Sequence, residues 1–155
     1  MNIVTLDDFD SVWDVFKKNK KYLGHVMSIK VKDRIEKGNV IFQDGVVITF
    51  HISKVSTKFG KDCDVSITKG DCILHQIASD EHSKGNGSKV LQEFFNFVDT
   101  NVYLGVLDDN DVANNFYVKN GMKKVGYINW SKGKLKGSVF KYSKKLSEIE
   151  DSWYI

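Results

Sequence analysis

Hydrophobic positions along this chain change their period twice. From Asp7 to Lys20 they recur at helical spacing, with Phe9, Val12, Trp13 and Phe16 on one stripe and Thr5 or Asp7 placed to cap the first-turn amides. A weaker stripe of Val26, Ile29 and Ile35 predicts a second helix, ended by Gly38. The period then shortens. NVIFQDGVVITFHI is rich in β-branched and aromatic residues and is interrupted only by Asp44 and Gly45, a dipeptide that tolerates positive φ, so it predicts a tight antiparallel hairpin. A polar stretch from Thr57 to Asp62 and a short strand in DVSIT follow, and Asp71 to Ala78 predicts another strand. Gly85, Asn86 and Gly87 then lead into SKVLQEFFNFV, whose Val90, Leu91, Phe94, Phe95 and Val98 share one helical face. Val102 to Leu107 predicts a strand, Asp111 to Asn120 a helix, and KKVGYINW and GSVFKYSKKL two final strands, with Gly133 and Gly137 between them. Strands and helices thus interleave along the whole chain.

Composition narrows the function class. The chain has 155 residues, 41% of them hydrophobic and 28% charged, which suits one domain spanning 1–155 with a single core. A net charge of +3 is too small to call for nucleic acid as the partner. No apolar run reaches membrane-spanning length, and MNIVTLDDFDSVWDV is acidic where a signal peptide is basic and then apolar, so a cytoplasmic protein without membrane partners is expected. Cys63 and Cys72 make no disulfide framework, and no Cys/His cluster has zinc spacing, so no metal is expected.

The glycine turn is the first candidate for chemistry. A strand, a glycine turn and a helix together expose unpaired amides at the positive end of the helix dipole, a setting for a phosphate. A Walker A loop needs Gly-Lys-Ser/Thr, but here Gly87 is followed by Ser88 and Lys89 in the reverse order. A dinucleotide fingerprint needs a small residue where Val90 stands. The order His82-Ser83-Lys84-Gly85-Asn86-Gly87 instead resembles the R/Q-x-x-G-x-G/A pyrophosphate turn of acyl-CoA-dependent N-acetyltransferases. A second segment supports that resemblance: Asn110, Ala113, Phe116, Tyr117, Gly121 and Met122 form N-x-x-A-x-x-F-Y-x-x-x-G-M after a strand, similar to the second signature of the GNAT superfamily. The close resemblance runs from about Asp71 to Gly126.

The resemblance implies an α+β (mixed α/β) fold, a twisted mixed sheet flanked by helices in which strands Asp71 to Ala78 and Val102 to Leu107 splay apart to hold acetyl-CoA as cosubstrate. It implies that the backbone of Gln76, Ile77 and Ser79 receives the pantetheine arm, that His82, Ser83, Lys84, Gly85, Asn86, Gly87 and Ser88 surround the pyrophosphate, and that Asn110 and Asn114 approach from the other side. It places Tyr117 near the sulfur as general acid. Counting back from the glycine turn, Asp71 falls where histone-acetylating members carry a glutamate base, and strand alternation puts His75 on the same face, so both are candidate bases. Two departures stand out: His82 occupies the usual Arg or Gln position, and Ser79 a turn position often held by proline.

The expected activity is direct transfer of acetyl from acetyl-CoA to a primary amine of a small molecule or protein, by a monomer or homodimer. Two rivals remain. Lys123 to Lys145 holds eight lysines and no acid, with Tyr127, Trp130, Phe140 and Tyr142 interleaved, which suits a toxin-like enzyme acetylating aminoacyl-tRNA. A non-catalytic module that only binds acyl-CoA is the other.

Overall fold

The computed structural model describes residues 1–80 and 85–145. A short 3₁₀ turn (Leu6–Asp8) leads into α1 (Phe9–Lys18), followed by α2 (Lys20–Leu23) and α3 (Ser28–Glu36). The strands β1 (Val40–Gln43) and β2 (Val46–Ile52) form the predicted hairpin, with Asp44 at φ 51° and Gly45 at φ 78° in the turn. Three two-residue strands, β3 (Thr57–Lys58), β4 (Asp62–Cys63) and β5 (Ser66–Ile67), precede β6 (Cys72–Ser79). Then come α4 (Asn86–Val98), β7 (Val102–Leu107), α5 (Asp111–Lys119), β8 (Lys123–Trp130) and β9 (Leu135–Tyr142).

Among the described residues the main sheet has seven strands in the order β1-β2-β6-β7-β9-β8-β4, and only β6 and β7 run parallel within it. The α+β architecture read from the sequence is the one observed. One face is covered by α4 and α5. Along α4, Val90, Leu91, Phe94 and Phe95 recur at helical spacing, and each is at most 2% exposed, packed on Phe50, Leu74, Leu104 and Phe140. The other face is covered in two parts. Val12, Phe16, Val31 and Ile35 of α1 and α3 bury Val40, Val47 and Ala78, while the β3-to-β5 excursion brings Cys63, Val65 and Ile67 over Ile73, Tyr103, Ile128 and Val139.

Two expectations change. In α3 the buried pair is Val31 and Ile35, at the i, i+4 spacing that shares a helix face, whereas Ile29 is 66% exposed. The basic, aromatic edge expected between Lys123 and Lys145 also divides. Strand alternation turns Phe140 and Tyr142 inward against α4, where Tyr142 stacks on Phe95 at 3.9 Å, and leaves Tyr127 outside. No helix among the described residues is long and apolar enough to cross a membrane.

Candidate active site

The sheet parts at its centre. β6 and β7 pair only at Cys72 with Val102 and at Ile73 with Tyr103, although both strands continue beyond. Burial records the consequence: Cys72, Ile73 and Leu74 are buried, but His75, Gln76 and Ile77 of this central strand are half-exposed. The amide of Gln76 donates to Thr49 Oγ1 at 3.1 Å and that of Asp80 to the Gly45 carbonyl at 3.0 Å, both toward β2. Alternation therefore turns the backbone groups of Ile77 and the amide of Ser79 toward the edge that β7 has left, while the Ser79 carbonyl accepts from Asn19 Nδ2 at 3.1 Å.

A bulge shapes the same stretch. Thr49 pairs with Gln76 but Phe50 with Leu74, so His75 is an extra residue in β6. It brings His75 and Gln76 to the same face, where strict alternation would have opposed them. Gln76 Oε1 accepts from Arg34 Nη1 at 2.6 Å and from the hydroxyl of buried Thr49, which fixes its side chain between α3 and β2. His75 Nε2 meets His51 Nδ1 at 2.6 Å, and the two rings stack with centroids 4.8 Å apart. Burial, then the Arg34 guanidinium, then His51 push the His75 pKa down to about 3; burial and Arg34 also lower that of His51. Both imidazoles are therefore neutral at pH 7. His51 was not legible as a site residue, because its neighbour in space is set by strand register and by the bulge.

His51 and His75 line a cleft of about 860 Å³ together with Ile73, Gly105, Phe59, Ile128 and Trp130. Because His75 of β6 and Gly105 of β7 both lie beyond the last paired residues, this cleft reaches the gap between the parted strands. Asp71 is not part of that lining. It sits at the foot of β6, 6% exposed, where its carboxylate accepts the Thr68 amide at 2.8 Å and holds the turn.

On the opposite face, Gly85 opens α4 at φ 88°, the left-handed region that suits glycine. Among the described residues no side chain caps this helix, and its first turn carries no acid. Gly87 lies against α5: a Cβ there would stand 3.4 Å from the Phe116 ring and 4.0 Å from Ser79 Oγ. Asn120, 7% exposed, donates to Ser88 Oγ at 3.1 Å and accepts from Gln92, tying the start of α4 to the end of α5. His82, Ser83 and Lys84 of the expected pyrophosphate turn lie outside the described residues. Lys89 pairs with Asp44 at 3.2 Å.

Tyr117 is 8% exposed, edge-on to Phe116 and tilted against Phe140. Burial raises its pKa to about 12, so the phenol keeps its proton. Asn110 and Asn114 are engaged with the chain itself. Asn110 Oδ1 caps α5 by accepting the Ala113 amide at 3.2 Å, and Asn114 Nδ2 donates to the Leu107 carbonyl at 3.0 Å and the Asn110 carbonyl at 2.8 Å. Cys72 is inert, because burial pushes its thiol up to about 12. No group of three or more possible metal ligands occurs among the described residues.

No protein-family model and no curated protein matches the chain. Solved structures do. A GNAT-family acetyltransferase from Streptococcus agalactiae is 10% identical, with a TM-score of 0.71 over 94% of this chain and 95% of that one. The ribosomal-protein-S18-alanine N-acetyltransferase of Escherichia coli is 11% identical, with a TM-score of 0.64 over 94% of each chain. The PaiA N-acetyltransferase of Thermoplasma acidophilum, solved in complex with coenzyme A, is 14% identical, with a TM-score of 0.64 over 92% of this chain and 96% of that one. With its sheet parted between β6 and β7 and helices on both faces, the chain has the fold of the GNAT acetyltransferases.

Proposed function

We propose that this protein, as one domain, is an N-acetyltransferase that moves an acetyl group from acetyl-CoA directly to a primary amine, without a metal or a covalent enzyme intermediate. The parting of β6 from β7 carries the reading, since it opens a backbone edge in the middle of a sheet that would otherwise be closed. The chain's residues suit the cosubstrate. Ile77 offers strand-like amide and carbonyl groups and Ser79 its amide to a pantetheine arm, and the start of α4 offers amides to a pyrophosphate. A Cβ at Gly87 would stand in the approach between Phe116 and Ser79.

Acetyl-CoA supplies the thioester carbonyl carbon that the amine attacks. The acceptor enters through the cleft on the His75 face, and Tyr117 lies on the α4 face, so the two groups address opposite sides of the gap. An alkylammonium with a pKa near 10.4 must lose a proton first, which costs roughly 4 to 5 kcal/mol at pH 7. With a pKa of about 3, His75 is too weak a base to hold that proton. The His75–His51 pair, joined at 2.6 Å, therefore acts as a neutral relay through which the proton passes from the amine to half-exposed His51 and out to water. The amine nitrogen then forms the amide bond as the carbon–sulfur bond breaks. Tyr117 hydrogen-bonds to the departing sulfur; a phenol at about 12 gives up its proton to a thiolate of ordinary pKa only uphill, so donation of a hydrogen bond is its contribution. Asp71, engaged by Thr68, is left with a structural part in this scheme.

The test is release of free coenzyme A thiol from acetyl-CoA across an amine panel that includes aminoacyl-tRNA, beside thermal stabilisation by coenzyme A. Stabilisation with turnover, slowed about a hundredfold by Tyr117→Phe, supports the proposal. Stabilisation without turnover in either form identifies a binding module. No stabilisation at millimolar coenzyme A refutes both.

A further inference from the structure

The cleft in front of His75 has a floor of unusual construction. Trp130, at the end of β8, lies across two glycines on neighbouring strands. A Cβ on Gly137 of β9 would stand 2.5 Å from its Cζ3 and 2.8 Å from its Cη2, and one on Gly105 of β7 would stand 3.1 Å from its Cζ2. Any side chain at Gly137 would lift the indole off the sheet. The Phe59 ring comes to the same spot, 3.3 Å from the Gly105 Cβ position. Both rings are only partly buried on the hydrophobic cluster beneath and line the cleft with Ile73 and Ile128. The wall that carries Phe59 is pinned from outside. Asp64 Oδ1 accepts the Tyr127 amide at 2.8 Å and occupies the place where a Cβ of Gly126 would be, only 2.2 Å away. The rim carries Lys61 and Lys132 against a single acid, Asp62.

Two aromatic surfaces that carry no charge, close to a neutral imidazole pair, select by shape and apolar contact. A polycation gains little here, since the rim lysines outnumber the one carboxylate. We infer that the acceptor is a primary amine carrying a flat aromatic ring, seated on Trp130 and Phe59 with its nitrogen toward His75. The inference rests on the acetyl-transfer reading for the chemistry, but the aromatic seat is a property of the cleft alone.

Rates of coenzyme A thiol release with 2-phenylethylamine and tryptamine, set against hexylamine and spermidine, test it. The aromatic amines should show kcat/KM at least about tenfold above hexylamine, a modest figure for one ring stacked in an apolar seat. Trp130→Leu should raise KM for the aromatic amines about tenfold more than for hexylamine, while the thermal shift with coenzyme A stays the same. If that variant fails to fold, Gly105→Ala, which presses a methyl against both rings, should narrow the same preference. Equal kcat/KM for hexylamine and 2-phenylethylamine, or a preference for spermidine, overturns the inference while leaving acetyl transfer standing. Calorimetric titration with 2-phenylethylamine, with and without coenzyme A, decides the matter independently of turnover. Heat that Trp130→Leu or Gly105→Ala weakens supports the aromatic seat even if acetyl transfer fails, and no heat overturns it.

Discussion

Replacing His75 by glutamine should change how stability depends on pH, and in a direction that the structure dictates. In the unfolded chain a histidine takes up a proton near pH 6.5, whereas in the fold His75 does so only near pH 3, because burial, Arg34 and His51 oppose the charge. Between those values the unfolded state binds the extra proton, so folding stability contributed by this group is intact above pH 6.5 and falls as the pH drops. At pH 4.5, two units below the unfolded value, the loss is about 2 to 3 kcal/mol at 1.36 kcal/mol per unit. A domain of this size shifts its midpoint by roughly 2 to 4 °C per kcal/mol, so the wild type should lose about 5 to 10 °C through His75 alone. His75→Gln lacks that titration but gives up the bond to His51, worth about 1 kcal/mol. Melting curves followed by circular dichroism at pH 7.5, 6.5, 5.5 and 4.5 should therefore show the variant less stable at neutral pH and more stable at the acidic end. Every other titrating group outside the pair is common to both proteins and cancels in the difference. Parallel curves, with a constant gap between wild type and variant, would refute the claim that His75 is held neutral.

Gly126→Ala should destabilise the protein by about 1 to 3 kcal/mol, read in urea unfolding, because the added methyl meets the Asp64 carboxylate at 2.2 Å and the Val65 side chain at 2.4 Å. Gly85→Ala at φ 88° should cost about 1 kcal/mol and weaken coenzyme A binding in calorimetry, while an unchanged affinity would detach the start of α4 from the cosubstrate. Thr49→Val removes one of the two donors that hold Gln76 Oε1 and leaves His51 and His75 in place, so kcat should fall less than in Tyr117→Phe, measured by thiol release.

The periodicity of the chain by itself determined most of the architecture. Asp44-Gly45 between two β-branched runs specified a tight hairpin, and the stripe from Val90 to Phe95 specified a buried helix, because these patterns are local and satisfy their own geometry. The two glycine-bearing signatures likewise pointed to one fold, since positive φ and close helix approach leave few residue choices. What the tertiary structure decided lies where long-range register rules. Ile29 and Val31 were both apolar on α3, and only packing against α1 and β2 chose Val31. His51 stands twenty-four positions from His75, and a single extra residue in β6 brought their nitrogens to 2.6 Å. The cleft has the same origin. Gly105 and Gly126 read as ordinary strand glycines and Gly137 as part of the break before the last strand, until Trp130, Phe59 and Asp64, all from other elements, occupied the space that a side chain would fill. Local sequence sets which residues line a strand face, but a bulge, a register and a gap between strands are properties of pairs of segments, and no single segment encodes them.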